Sequence, residues 1–113
     1  MMPILTKCYM QILEAMRAMH HDAVFVRIVR MPDQSPLSPS EDLLEDYKLH
    51  GLSWAEYVKR FKAEMIMSAG AHDAAQVIRD LARTKDVYLV CYEKTDARCH
   101  RRIVKEMIEA GEL

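Results

Sequence analysis

Between Cys91 and Arg102 the chain reads Cys91-Tyr92-Glu93-Lys94-Thr95-Asp96-Ala97-Arg98-Cys99-His100-Arg101-Arg102, which gathers two thiols, an imidazole and several guanidinium groups into one short stretch. The thiolate is the nucleophilic form of cysteine, and neighbouring cations increase its share at neutral pH. Cys91 and Cys99 are therefore candidate nucleophiles, and His100 is the candidate acid-base group. From Lys94 to Lys105 five basic residues accompany one acidic residue, Asp96, a local charge of +4 in a chain of formal net charge −1. That concentration suits an anionic ligand. Arginine holds phosphate or carboxylate through paired hydrogen bonds, which makes Arg98 and Arg101 candidate anchors beside Lys94. With Asp96 read as a helix N-cap, Cys99 falls in the first helical turn, where unpaired N–H groups and the helix dipole favour a thiolate or a bound anion.

Plainer roles fit the same residues. A cysteine on an apolar strand is commonly a small core residue, and polar groups at a helix start often only satisfy orphan backbone donors. The C-x7-C-H spacing of Cys91, Cys99 and His100 lacks the close ligand pairs and the fourth residue of structural zinc sites, so no metal ligand is assigned. Six residues separate Cys91 from Arg98, one too many for the C-x5-R loop of cysteine phosphatases. His20-His21-Asp22 reads as an exposed turn. The Trp54, Tyr57 and Phe61 row reads as core rather than a base-stacking platform, and the nine methionines indicate no cofactor.

The elements that must position Cys91 and Arg102 follow from periodicity. Asp86 to Tyr92 is a strand with apolar residues on both faces, as a covered central strand requires. Ala23 to Val29 is a second strand, in which Arg27 signals an edge position. Ile4 to Met10 is a possible third, followed by helix formers over Gln11 to Met19. Met31 to Leu37, with Pro32 and Pro36, is an exposed connection. Ser38-Pro39-Ser40-Glu41 carries a helix-start pattern with Ser38 as the cap, and the helix ends near Gly51. Ser53 caps a second helix with Trp54, Tyr57, Val58, Phe61 and Met65 on one face, ended by Gly70. Ala74, Val77, Ile78, Leu81 and Ala82 form a third apolar face. Ile103, Val104, Met107 and Ile108 form a fourth, stopped by Gly111. This order predicts an α/β domain with a small, mainly parallel sheet and helices packed on its faces. In such sheets ligands bind beyond the carboxyl ends of the strands, where Glu93 to Asp96 would lie.

Composition narrows the class of protein. The 113 residues are about one domain's length, taken as 1–113, and can bury a core without disulfides. Half are hydrophobic and 29% charged, with 16 basic against 17 acidic side chains, so overall charge points to no partner. Nucleic-acid binding would have to rest on a local basic face. No apolar run approaches the roughly 18 residues of a membrane span. The start lacks a secretory leader pattern, and three cysteines are an odd set suited to free thiols, so the expected location is the cytoplasm. A homodimer is open to so small a domain.

Two motif blocks carry a family resemblance. In the middle lie Leu37-Ser38-Pro39-Ser40, Leu43-Leu44 and Tyr47-Lys48, then Trp54, Glu56-Tyr57, Arg60-Phe61 and Glu64-Met65. Near the end lie Leu89-Val90-Cys91-Tyr92-Glu93-Lys94 and Cys99-His100-Arg101. In order and spacing the chain resembles the domain-of-unknown-function 488 family, including its YeaO-like branch. These blocks match that family's L-x-P-S helix, its W-x-E-[FY]-x-x-R-[FY]-x-x-E segment, and its C-x-E-K strand end with a C-H-R helix start. The resemblance spans roughly residues 23 to 110. It implies an α/β fold and makes Cys91, Glu93, Lys94, Cys99, His100 and Arg101 a linked set. One feature departs from the pattern: the family places an arginine three residues before the proline after the early strand, whereas Arg30 lies two before Pro32. Arg27 and Arg30 are both candidates to face the site. The expected function is binding, with or without catalysis, of a small phosphate- or nucleotide-like anion at Cys91–Arg102. The alternative is a non-enzymatic module that docks a nucleic-acid backbone or an acidic partner.

Overall fold

Three short apolar segments, β1 (Ile4–Leu5), β2 (Val24–Arg27) and β3 (Val87–Val90), pair as an all-parallel sheet in the order β1-β3-β2. The structure, a computed structural model, describes residues 3–31 and 33–113. Met1 and Met2 at the start of the sequence, and Pro32 in the proline-containing connection, lie outside it. β3 is central and all four of its residues are buried, which its apolar residues on both faces predict. Ile4 and Val24 both sit opposite Val87, and Arg27 ends the β2 register opposite Val90. Arg27 is exposed on an edge strand, as its charge suggests.

The possible strand from Ile4 to Met10 is much shorter than the sequence suggests. Only Ile4 and Leu5 join the ladder, because Thr6 turns its hydroxyl to Asp96 and Met10–Ile12 winds into a 3-10 turn that leads into α1 (Leu13–Met19). The chain touches the sheet once more where Tyr9 bridges to Cys91.

α2 (Glu41–Leu49) begins two residues later than the Ser38 pattern predicts. The Ser40 hydroxyl accepts from the Leu43 N–H at 3.2 Å and donates to the Glu64 carboxylate, while the Ser38 hydroxyl donates to the Ser35 carbonyl at 2.6 Å. Two partners make Ser40 the better cap, and Ser38 instead closes the preceding turn. α3 (Trp54–Ile66) is capped by Ser53 and buries Tyr57, Phe61 and Met65. Its end is not Gly70. The helix stops at Ile66, Ser68 caps α4 (Ala69–Leu81), and Gly70 lies in the first turn of α4 against Pro36. α4 buries Ala71, Ala75 and Ile78, and Ala82 just beyond it, while Val77 is exposed. Small residues at the contact permit close helix packing, so Ala71 and Ala75 join Ile78 on its inner face and Val77 is left outside. α5 (His100–Glu109) buries Ile103, Val104, Met107 and Ile108, and Gly111 with φ +76° takes the chain out of it.

The helices cover both faces of the sheet. Ile4, Val87 and Leu89 pack with residues of α3, α4 and α5 in the main core. Tyr88, Val90 and partly buried Phe25 pack with Cys8, Leu13 and Met16 on the other side. Among the described residues no helix is long and apolar enough to cross a membrane.

Candidate thiol site

The carboxyl ends of β2 and β3 and the start of α5 meet at one place. Beyond β3 the ladder continues for one more residue: the Met10 N–H donates to the Cys91 carbonyl at 2.9 Å and fixes the cysteine backbone. Cys91 is 5% exposed and clusters with Val29, which follows β2, and with Cys99.

The loop from Glu93 to Cys99 does not follow the predicted cap. The Asp96 carboxylate accepts from the Thr6 hydroxyl, so it is tied to the β1 side, and Cys99 rather than Asp96 occupies the N-cap position of α5 with extended backbone, φ −131° and ψ 142°. Cys99 therefore precedes the first helical turn. The Asp96 carboxyl pKa is lowered by that hydroxyl and by the charges of Arg101 and Arg102.

His100, the first residue of α5, is also buried. Its Nε2 lies 2.6 Å from the Ile28 carbonyl oxygen, a distance that places the proton on Nε2 as donor. Nδ1 lies 3.8 Å from Cys91 Sγ and 3.9 Å from Cys99 Sγ, and Cys91 Sγ is also 3.9 Å from Nε2, so that sulfur sits beside the ring between its two nitrogens. The Phe61 ring packs tilted against the imidazole with centroids 5.8 Å apart. Three potential ligand atoms, one each from Cys91, Cys99 and His100, lie within 4.8 Å of one another.

This crowding divides the two thiols. The Cys91 pKa is pushed down, first by a hydrogen bond from Cys99, then by the hydrogen bond and charge of His100 and the Glu93 backbone N–H, against the opposing effect of burial. The Cys99 pKa is pushed up by its bond to Cys91, by burial and by the Cys91 charge. The pair gives up one proton readily and retains the second. Tyr57, whose pKa is raised by burial and by both thiols, stays a phenol.

Cys91, Cys99 and His100 line a cavity of about 120 Å³. Its cationic lining comes from Arg30, Lys48 and Arg98, and its aromatic lining includes Tyr47, Tyr57 and Tyr92. Arg30 is paired with Glu41 at 3.1 Å and Lys48 lies 3.8 Å from Glu93, which also borders the cavity. Of the two early arginines, then, Arg30 faces the site. Arg27 borders a separate hollow with Asp33 and Ser35. Lys94 is exposed and does not line the cavity.

Arg101 is fully buried and lies behind the site. Its Nη1 donates to the Glu93 carbonyl at 2.7 Å and to the Cys8 carbonyl at 3.2 Å, joining the loop after β3 to the segment after β1. The geometry makes it a brace for the loop.

Lys48, Tyr47 and Tyr57 line the cavity although no chemical pattern marks them. Their signal is the middle motif block, whose parts the fold connects: the Ser40 N–H donates to Glu64 at 2.9 Å, Arg60 donates to Asp46 at 2.8 Å, and Tyr57 packs on Tyr47 with centroids 4.9 Å apart. The block carries α2 and α3 to the cavity wall.

No curated protein and no solved structure matches the chain. A family model described as the active DUF488-N3 subclade (DUF488-N3a) matches residues 15–112, a span that includes both motif blocks and every residue lining the cavity. The chain therefore belongs to the DUF488 family, in the active DUF488-N3 subclade.

Proposed function

We propose that the protein binds a small ligand bearing an anionic, phosphate-like group and attacks it with the Cys91 thiolate. The observation that carries this reading is the contact of Cys91 Sγ with the His100 imidazole, 3.8 Å from Nδ1 and 3.9 Å from Nε2, with Nε2 held on the Ile28 carbonyl. A nucleophile beside a base that a third group orients is the recurring arrangement of covalent catalysis.

Arg30, Lys48 and Arg98 supply the charge that holds the anion, and Tyr57 remains a hydrogen-bond donor. Attack forms a bond from Cys91 Sγ to the electrophilic atom and breaks the bond to the leaving group, which takes the proton from His100 Nδ1. Water then attacks the covalent intermediate, returns its proton to Nδ1 and restores the thiolate. A volume near 120 Å³ admits only a compact reacting group, with any larger remainder outside. The three cysteines are free thiols, which suits the reducing cytoplasm.

The direct test is the alkylation rate of Cys91 by iodoacetamide with and without inorganic phosphate. Saturable protection by phosphate, weakened in Arg98→Ala, is the expected result. Cys91 labelling indifferent to phosphate at every concentration removes the shared anion and thiol site. An acidic partner or nucleic acid that binds in a salt-sensitive way without slowing Cys91 labelling favours docking instead.

A further inference from the structure

We propose that Cys91 Sγ, Cys99 Sγ and His100 Nδ1 form a three-ligand zinc site whose fourth position opens onto the cavity, and that zinc masks the nucleophile. The inference rests on the thiol-site reading above, because what zinc masks is the Cys91 thiolate.

Geometry carries it. Tetrahedral zinc, with bonds of about 2.3 Å to sulfur and about 2.0–2.1 Å to nitrogen, sets sulfur and nitrogen ligands roughly 3.5 Å apart. Nδ1 lies 3.8 and 3.9 Å from the two sulfurs and the whole set falls within 4.8 Å; Cys91 Sγ is also 3.9 Å from Nε2, so metal binding requires its side chain to swing onto the Nδ1 side of the ring. Ligating histidines almost always place their other ring N–H on a carboxylate, a backbone carbonyl or water. Here Nε2 donates to the Ile28 carbonyl and Nδ1 is left for the metal. All three ligand residues are buried, so little side-chain freedom is lost on binding.

The C-x7-C-H spacing argues against a closed structural site with four protein ligands, and the fold does not build one. It builds two thiolates and one imidazole, the set that catalytic zinc sites combine with an open fourth position. Thiolate and imidazole ligands select zinc over magnesium or calcium. Two thiolates balance the charge of the ion. Arg30, Lys48 and Arg98 around the cavity then favour hydroxide or an anion as the fourth ligand. With both sulfurs bound to zinc, the ion draws off the negative charge of Cys91 and lowers its nucleophilicity, so loaded and metal-free protein differ in thiol reactivity.

The experiment titrates reduced, metal-free protein with zinc chloride against a chromophoric chelator, then records zinc X-ray absorption of the one-equivalent complex. The expected result is one tight equivalent, no competition from magnesium, and a shell containing two sulfurs. Cys99→Ser should lose the tight equivalent while its circular dichroism shows that it is folded. If that variant does not fold, the wild-type absorption spectrum still decides. A shell of only nitrogen and oxygen, or binding no tighter than that of exposed histidines, overturns the proposal. Alkylation separates it from the reading on which it rests. Tight two-sulfur binding with an unreactive metal-free Cys91 supports the metal site and sinks the nucleophile, whereas a reactive Cys91 that zinc does not protect overturns the metal site alone.

Discussion

Cys91 Sγ and His100 Nδ1 stand 3.8 Å apart although one ends a strand and the other begins a helix. The carbonyl of Ile28, just past β2, holds the far side of the imidazole. Three chain segments thus fix one thiol and imidazole pair, and the following expectations derive from it.

Stability should depend on pH through Cys91. An unfolded cysteine titrates near pH 8.5, whereas the folded Cys91 pKa is lowered. Below about pH 8.5 the unfolded chain holds a proton that folded Cys91 has released, so this contribution is complete above about pH 8.5 and is lost as pH falls toward the folded pKa. Cys99 has the opposite sign: its folded pKa is raised, so its contribution is lost as pH rises above the ordinary thiol range. Urea midpoints should therefore rise from about pH 5 to pH 8 in the wild type more steeply than in Cys91→Ala. Parallel curves would refute the shift.

His100→Gln should keep a donor for the Ile28 carbonyl but lose the titratable nitrogen beside the sulfurs. Labelling of Cys91 at neutral pH should slow by about tenfold or more, because the thiolate share falls. The check is peptide-resolved mass spectrometry of iodoacetamide adducts. An unchanged rate would mean that His100 does not activate the thiol.

Arg101→Ala should act mainly on folding. It strips two backbone carbonyls, of Cys8 and Glu93, of a buried donor and leaves a void. The cost should be about 2–4 kcal/mol by urea denaturation. Arg101→Lys should recover part of it, since both bonds come from the one nitrogen Nη1 and an ammonium on a shorter stem can replace some of that donation. A stability loss under about 0.5 kcal/mol, the range of ordinary surface changes, would contradict the bracing role.

Arg98→Ala should weaken phosphate protection by about tenfold, the size of one charge-assisted hydrogen bond. Lys94→Ala, outside the cavity lining, should change it little. Phosphate titrations of the labelling rate compare the two, and equal losses would point to general surface charge.

Much of this arrangement was readable from residue patterns. Apolar residues on both faces of Val87–Val90 require a covered central strand, and the charge of Arg27 marks an edge. The cluster from Cys91 to Arg102 announces itself by residue type. What periodicity cannot supply is which partner a polar group finds at long range. Asp96 looks like a cap until Thr6, ninety residues away, takes its carboxylate. Ser38 reads as the cap until Glu64 on another helix selects Ser40. Arg101 looks like an anion anchor in sequence and is a buried brace in the fold, because its helical position turns it toward the Cys8 segment. Lys48 reaches the cavity only because α2 packs beside α3.

The most direct test of the account is the pH profile of Cys91 alkylation in the reduced, metal-free wild type. The account requires an inflection well below the ordinary thiol value of about 8.5, with Cys91 labelled at neutral pH ahead of Cys8 and Cys99. An inflection at or above about 8.5 would show an unperturbed thiol and contradict the activated Cys91.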